Sequence, residues 1–244
     1  MGAALGWGLV AGSSILIGGI LALVVPVQRT ALGLIMGFGS GVLISAVAYE
    51  LVAEASATAD VGGGAVALGL AAGCGTFFVG DLLVDRMGGA DRKSSTGRQT
   101  SGSALAIVLG IVLDGIPESA VIGLGILQGG GVSAAMLVAV FLSNLPEAIA
   151  ATAGLLKSGW TRARIIGLWV AVTAVSGLAS LAGYVLFEDA SGNMVAFVLA
   201  FAGGAVLTML ADTMMPEAFE HGGRLVGVFT TLGFALAFTI SALE

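Results

Sequence analysis

Charge is scarce in this chain. Of its 244 residues only nine are Lys or Arg and fifteen are Asp or Glu, 10% of the total, where a soluble domain carries about 25%. That is too little polar surface to cover a water-facing body, so the natural solvent is lipid. The net charge of −6 comes with no basic stripe, and nucleic acid is not an expected partner. Cys74 is the single cysteine, which excludes an intramolecular disulfide framework and a cysteine-based metal cluster. We read it as a small, buried packing residue. Histidine occurs once, at His221. No Gly-rich loop ending in Gly-Lys-Ser/Thr is present, so nothing points to ATP use.

Apolar residues and glycine fill the space that charge leaves. The chain is 57% hydrophobic, with a mean hydropathy of +1.07 and 40 glycines. Glycine scattered through apolar stretches suits helices that approach one another closely in a bilayer. Gly33, Gly37 and Gly41 repeat at every fourth position, which places them on one helical face. A span needs roughly 20 apolar residues. Such stretches fall at 3–25, 31–57, 64–84, 103–127, 131–156, 163–187, 194–213 and 223–243. The first has no positive charge ahead of it and is too long for a cleavable leader, so it counts as a span. The sequence therefore predicts an all-α, polytopic membrane protein: a single domain of eight transmembrane helices over residues 1–244.

The basic residues test that segmentation independently. Arg29, Arg86, Arg92, Lys93, Arg98, Lys157, Arg162, Arg164 and Arg224 all fall in or beside connections 1–2, 3–4, 5–6 and 7–8. By the positive-inside rule these connections are cytoplasmic and both termini extracytoplasmic. The longest connection, 86–102, is rich in Ser, Arg and Gly and is expected to be a flexible cytoplasmic loop. A compact, loop-poor chain of this kind fits a cell inner (plasma) membrane, crossed many times.

Three acids lie away from span ends. Asp114 and Glu118 fall near the middle of span 4, and Glu147 near the middle of span 5. An ionised Asp at a helix centre costs roughly 2.5–3.5 kcal/mol even on the lenient insertion scale. No Lys, Arg or His occurs in the middle of a span to offset them. Asp114 and Glu118 are four residues apart and share a helical face. Ser143 and Glu147 repeat that spacing, with Asn144 nearly one turn before Glu147. Aligned on proline, Asp114-Gly-Ile-Pro-Glu-Ser stands against Ser143-Asn-Leu-Pro-Glu-Ala, a Pro-Glu signature in consecutive spans. Pro117 and Pro146 are expected to kink their helices and free the carbonyls of Leu113 and Leu142. Carboxylates, an amide and freed carbonyls make an oxygen-rich cage suited to a hard or borderline divalent cation. The competing reading is a set of protonated, hydrogen-bonded acids that tie two helices together.

On these residues the chain resembles the ZIP (Zrt-, Irt-like) family of divalent-metal transporters, in a bacterial or archaeal type with altered helix 4 and helix 5 motifs. That family has eight spans with both termini outside the cytoplasm. Its helix 4 carries a His-Asn-x-Pro-Glu-Gly motif and its helix 5 a related Pro-Glu motif. Residues 114–119 and 143–148 occupy those places. Gly-Phe-Gly-Ser-Gly at 37–41, leading to Glu50 and Glu54, resembles the family's helix 2. Met215-Pro216-Glu217-Ala218 followed by His221 resembles the end of its helix 7. The resemblance implies metal-ligand roles for Asp114, Glu118 and Glu147, with Asn144 and Ser143 as further candidates. Here Asp114 and Gly115 replace the family's His and Asn, and Ser180 stands where helix 6 often carries an acid. A single, oxygen-dominated metal position is therefore expected. Zinc is the cargo implied by resemblance; loss of the imidazole makes manganese or iron fit as well.

His221, Glu217 and Glu220 at the inner end of span 7 read as a polar helix end or as exit-side ligands. Glu50 and Glu54 near the outer end of span 2 read as solvated acids or as an ion-attracting entrance. The expected function is inward transport of a divalent metal ion, without a prosthetic group. The bilayer, and a second copy as a homodimer, are the other expected partners. The alternative is a degenerate relative that acts as a sensor or moves another solute with protons. An enzyme is not expected, because Asp114 is the only mid-span Asp and the only His lies at an interface.

Overall fold

The structure, a computed structural model, describes residues 1–60, 63–89, 104–127 and 132–243. All regular structure among them is helical. We label the helices α1 (Gly2–Val24), α2 (Arg29–Thr58), α3 (Gly64–Val84), α4 (Ala104–Leu127), α5 (Ala134–Lys157), α6 (Arg162–Leu186), α7 (Gly192–Gly222) and α8 (Leu225–Ser241). The first seven are long and apolar enough to cross a membrane; α8 is as apolar but has only 17 residues. The chain is a multi-pass helical membrane protein. Most of the expected loop at 86–102 lies outside the described residues.

Local sequence sets the helix starts. The Ser133, Thr161 and Ser191 hydroxyls cap α5, α6 and α7 by accepting from the amides of Met136, Arg164 and Met194. The sequence predicted a break over 214–222, but α7 runs through it to Gly222. A π-helical turn at Leu210–Met214 comes just before Pro216. The proline's missing N–H thus falls where the hydrogen-bond ladder changes register, and the helix continues. A second π-helical stretch, Val47–Ala53, lies within α2.

The helices form two groups. In one, α1 packs on α5 and α6, and α4 on α6; in the other, α2 packs on α7 and α8, and α3 on α7. The groups meet mainly where α2 faces α5, with α4 touching α7. Small residues set these approaches. A Cβ at Gly8 or Gly12 of α1 would strike α6 at Ser176, and Thr173 Oγ1 donates to the Gly12 carbonyl at 3.0 Å. Cys74, expected inside, is exposed instead. Gly69 and Gly73, one turn apart just before it, face α7, which turns Cys74 outward, where lipid accepts a small apolar side chain.

Helix direction follows from the same contacts and gathers the described basic residues at one end. Arg29 opens α2, Lys157 ends α5, Arg162 and Arg164 open α6, and Arg224 separates α7 from α8. Gly33 of α2 lies against His221 and Gly222, so the start of α2 and the end of α7 share that end. Arg86, just past α3, lies there too, because α3 and α7 run in the same direction.

The second group contains one unit twice. Arg29–Thr58 aligns without a gap on residues 192–221, with identity at Phe38/Phe201, Gly41/Gly204, Ala48/Ala211, Glu54/Glu217 and Ala55/Ala218. Both π-helical stretches begin at the aligned positions Val47 and Leu210. The partner helices match as well. Gly41 seats the Thr230 carbonyl and Gly204 the Leu70 carbonyl; Gly233 seats the Phe38 carbonyl and Gly73 the Phe201 carbonyl. So α2 with α8, and α7 with α3, are two copies of one interlocked pair. The two copies run in opposite directions through the bundle, since α2 starts where α7 ends.

Candidate functional site

The three mid-span acids are buried inside the bundle. Asp114 is 4% exposed, Glu118 1% and Glu147 3%. Both oxygens of Asp114 and of Glu118 are out of contact with solvent. Asn144, Ser143 and Ser119 are buried beside them in sequence. Ser119 directly follows Glu118 in the Pro-Glu-Ser motif, yet the sequence suggested no role for it. Ser143 Oγ donates to the Val140 carbonyl at 3.1 Å, so its proton is committed to its own helix while its oxygen remains an acceptor.

Both prolines sit inside unbroken helices: Pro117 in α4 and Pro146 in α5. Proline cannot donate to the residue four before it, which leaves the Leu142 carbonyl without its helical partner. That carbonyl points at Gly39 of α2. A Cβ at Gly39 would come within 2.9 Å of the oxygen and 3.1 Å of Met214 Cε on α7. The glycine thus leaves the oxygen room where α2, α5 and α7 converge. The sequence marked Gly39 only as the middle of the Gly-Phe-Gly-Ser-Gly run at 37–41, with no role of its own. Leu113, on α4, lays its side chain against Gly80 of α3.

Ser180, at the helix 6 position where the resemblance expects an acid, is fully buried and donates to the Ala4 carbonyl of α1 at 2.8 Å. It ties α6 to α1. Among the described residues, no three His, Cys, Asp or Glu side chains are gathered into a group that could hold a metal ion. The central carboxylates are distributed over two helices, with neutral oxygen donors between them in sequence.

The two mouths differ. At the basic end, Glu217 is 8% exposed, His221 is half-buried and Glu220 is exposed. Asp212, which the sequence left unassigned, lies exposed on the π-helical turn of α7. At the opposite end Glu50 is half-buried, and its Oε1 accepts from Ser241 Oγ of α8 at 2.6 Å. The Tyr49 ring beside it packs on Phe238, with centroids 5.2 Å apart. Glu54 is exposed, one turn before Thr58, whose hydroxyl donates to it at 3.3 Å.

Chemically, buried carboxylates in a low-dielectric interior need compensation from protons or cations. The described basic residues stand at one end of the bundle, not at its centre. A scan of protein-family models and a search of curated proteins found no match to this chain.

Proposed function

We propose that the chain carries a divalent metal ion across the membrane, with Asp114, Glu118 and Glu147 as its central ligands. The observation that supports this reading is the burial of three carboxylates on adjacent helices, α4 and α5, with no basic side chain at that depth among the described residues. Asn144, the oxygen of Ser143 and the proline-freed carbonyls supply neutral donors to complete the shell of a hard or borderline cation. Zinc is the cargo by family resemblance, and the absence of imidazole at position 114 suits manganese or iron(II) as well. The ion moves as the two helix groups shift about the α2–α5 and α4–α7 contacts, the alternating access common to carriers with a central site. Glu50 and Glu54 serve as the entrance, and Glu217, Glu220 and His221 as the exit.

The test is uptake of zinc, manganese, iron(II), cadmium and magnesium by the purified protein in liposomes. Saturable flux that is lost in Glu118→Gln/Glu147→Gln, with the variant still folded, is the expected result. Normal flux in that variant sinks the proposal.

A second reading, movement of another solute with protons on the same carboxylates, draws on the lack of a three-ligand group among the described residues. It predicts proton-linked flux with no dependence on metal.

A further inference from the structure

We infer that Glu54 and Glu217 are one position of the internal repeat, used at opposite mouths of the bundle, and that the two take turns facing water. The inference rests on the reading of the chain as a cation carrier. It starts from the alignment of α2 on α7. Buried, half-buried and exposed positions coincide along almost all of the thirty aligned pairs, through both π-helical stretches. One pair alone passes from exposed to buried, and it is Glu54 and Glu217. Identical side chains at matched positions of matched helices therefore stand in opposite surroundings. On this inference the mouth at Glu54 is the open one here and the mouth at Glu217 the shut one.

A sequence difference accompanies the asymmetry. The end of α7 lies tightly on α2 at Gly33, where a Cβ would strike the Gly222 amide, the His221 Cβ and the Ala218 carbonyl. The aligned residue on α7 is Ala196, fully buried, which carries the methyl that Gly33 lacks. At the Glu54 end the start of α7 meets the chain at the end of α2: Gly192 lies against the Thr58 carbonyl, and Asn193 Oδ1 accepts from the Asp60 amide at 3.0 Å.

The moving part is at hand. Each glutamate stands at the same distance from the start of its π-helical stretch, Val47 to Glu54 and Leu210 to Glu217. A π turn is a register change in the hydrogen-bond ladder, and its migration rotates the segment beyond it without unfolding the helix. A carboxylate on that segment exchanges water for protein while its helix stays in place. Whichever glutamate faces water meets the hydrated cation, and the other is sealed.

Thiol labelling tests the exchange. Glu54→Cys and Glu217→Cys are made singly in a Cys74→Ala chain, reconstituted in liposomes and treated with a membrane-impermeant maleimide from either side. A position that is accessible only in a state populated at about 10% labels about tenfold more slowly, which is the expectation for residue 217 against residue 54. Gly33→Ala props the shut mouth, and Ala196→Gly removes the matching methyl at the open one. Either change is expected to speed labelling at 217 and slow it at 54. Ala196→Gly removes atoms and carries the test if Gly33→Ala fails to fold. A rise at 217 with 54 unchanged, movement of both in the same direction, or no response in the folded variants overturns the inference. Metal flux through the Cys74→Ala parent separates the two claims. Flux with non-reciprocal labelling removes this inference alone; reciprocal labelling without metal flux upholds the exchange and removes the metal reading.

Discussion

Trp169 on α6 donates its indole N–H to Thr152 Oγ1 on α5 at 2.9 Å, and neither side chain has any solvent exposure. The ring fits because α1 presents Gly19 to it; a Cβ there would fall on the indole. Gly19→Ala is expected to cost about 1–3 kcal/mol through forced displacement of the ring. Trp169→Phe keeps most of the packing but removes the donor, for about 1 kcal/mol. Thermal unfolding in detergent measures both. A Gly19→Ala protein as stable as the parent would show that the ring has somewhere else to go.

Gly41 and Gly204 occupy matched positions and each seats a partner carbonyl, Thr230 or Leu70. Alanine at either site drives a methyl onto backbone, which cannot swing aside as a side chain can. Both substitutions are expected to destabilise by about 1–3 kcal/mol, and by similar amounts. Strongly unequal losses would mean that the two interlocked pairs do not share the fold's strength evenly.

Ser180→Asp would restore the acid that the resemblance expects on helix 6. In this bundle it places an ionised group between α1 and α6 and removes the donor to the Ala4 carbonyl. An uncompensated buried charge costs several kcal/mol. The expected outcome is low yield and early unfolding, with metal stoichiometry unchanged in whatever protein survives. A stable Ser180→Asp protein that binds one more ion contradicts this.

Asp114→His returns an imidazole to helix 4. Imidazole suits zinc where carboxylate suits manganese. The zinc-to-manganese flux ratio is expected to rise about tenfold, a preference worth about 1.4 kcal/mol. An unchanged ratio would place Asp114 outside the ion's shell.

Ser241→Ala removes the 2.6 Å bond to Glu50 that pins the end of α8 to α2. Glu50 is half-buried, so water replaces part of the loss, and the expected cost is about 0.5–1.5 kcal/mol. Hydrogen exchange at the last turn of α8 should quicken before the rest of the bundle responds. Uniform protection in the variant would show that the Tyr49–Phe238 packing alone holds the end.

What was legible in the sequence came from terms that act one residue at a time. Apolar run length marked the spans, and the one-sided placement of Arg29, Arg86, Lys157, Arg162, Arg164 and Arg224 marked their order. Burial of Asp114, Glu118 and Glu147 followed from their mid-span positions. What was not legible depended on pairs of helices. Pro216 looked like a break because the π-helical turn before it leaves no composition signal. Cys74 looked buried because outward and inward faces are equally apolar in a membrane helix. The repeat stayed hidden because five identities in thirty aligned residues are diluted by interchangeable Leu, Val, Ile and Met. Pro146 marked the Leu142 carbonyl in the sequence, but its place opposite Gly39 depends on how two helices meet.

The doubled unit bears on direction. A carrier whose two halves were identical would present the same chemistry to both faces of the membrane and could not tell one from the other. Polarity must then reside where the copies disagree. In the segment beyond the π-helical onset, the disagreements that add or remove a charge, a ring or an imidazole are Tyr49 against Asp212, Glu50 against Thr213, Ser56 against Phe219, Ala57 against Glu220 and Thr58 against His221. Each gives one mouth a charge, a ring or an imidazole that the other lacks. On the carrier reading, exchanging these five pairs between the copies is expected to reverse which way the molecule points, at the cost of the Tyr49–Phe238 and Glu50–Ser241 contacts that hold the end of α8.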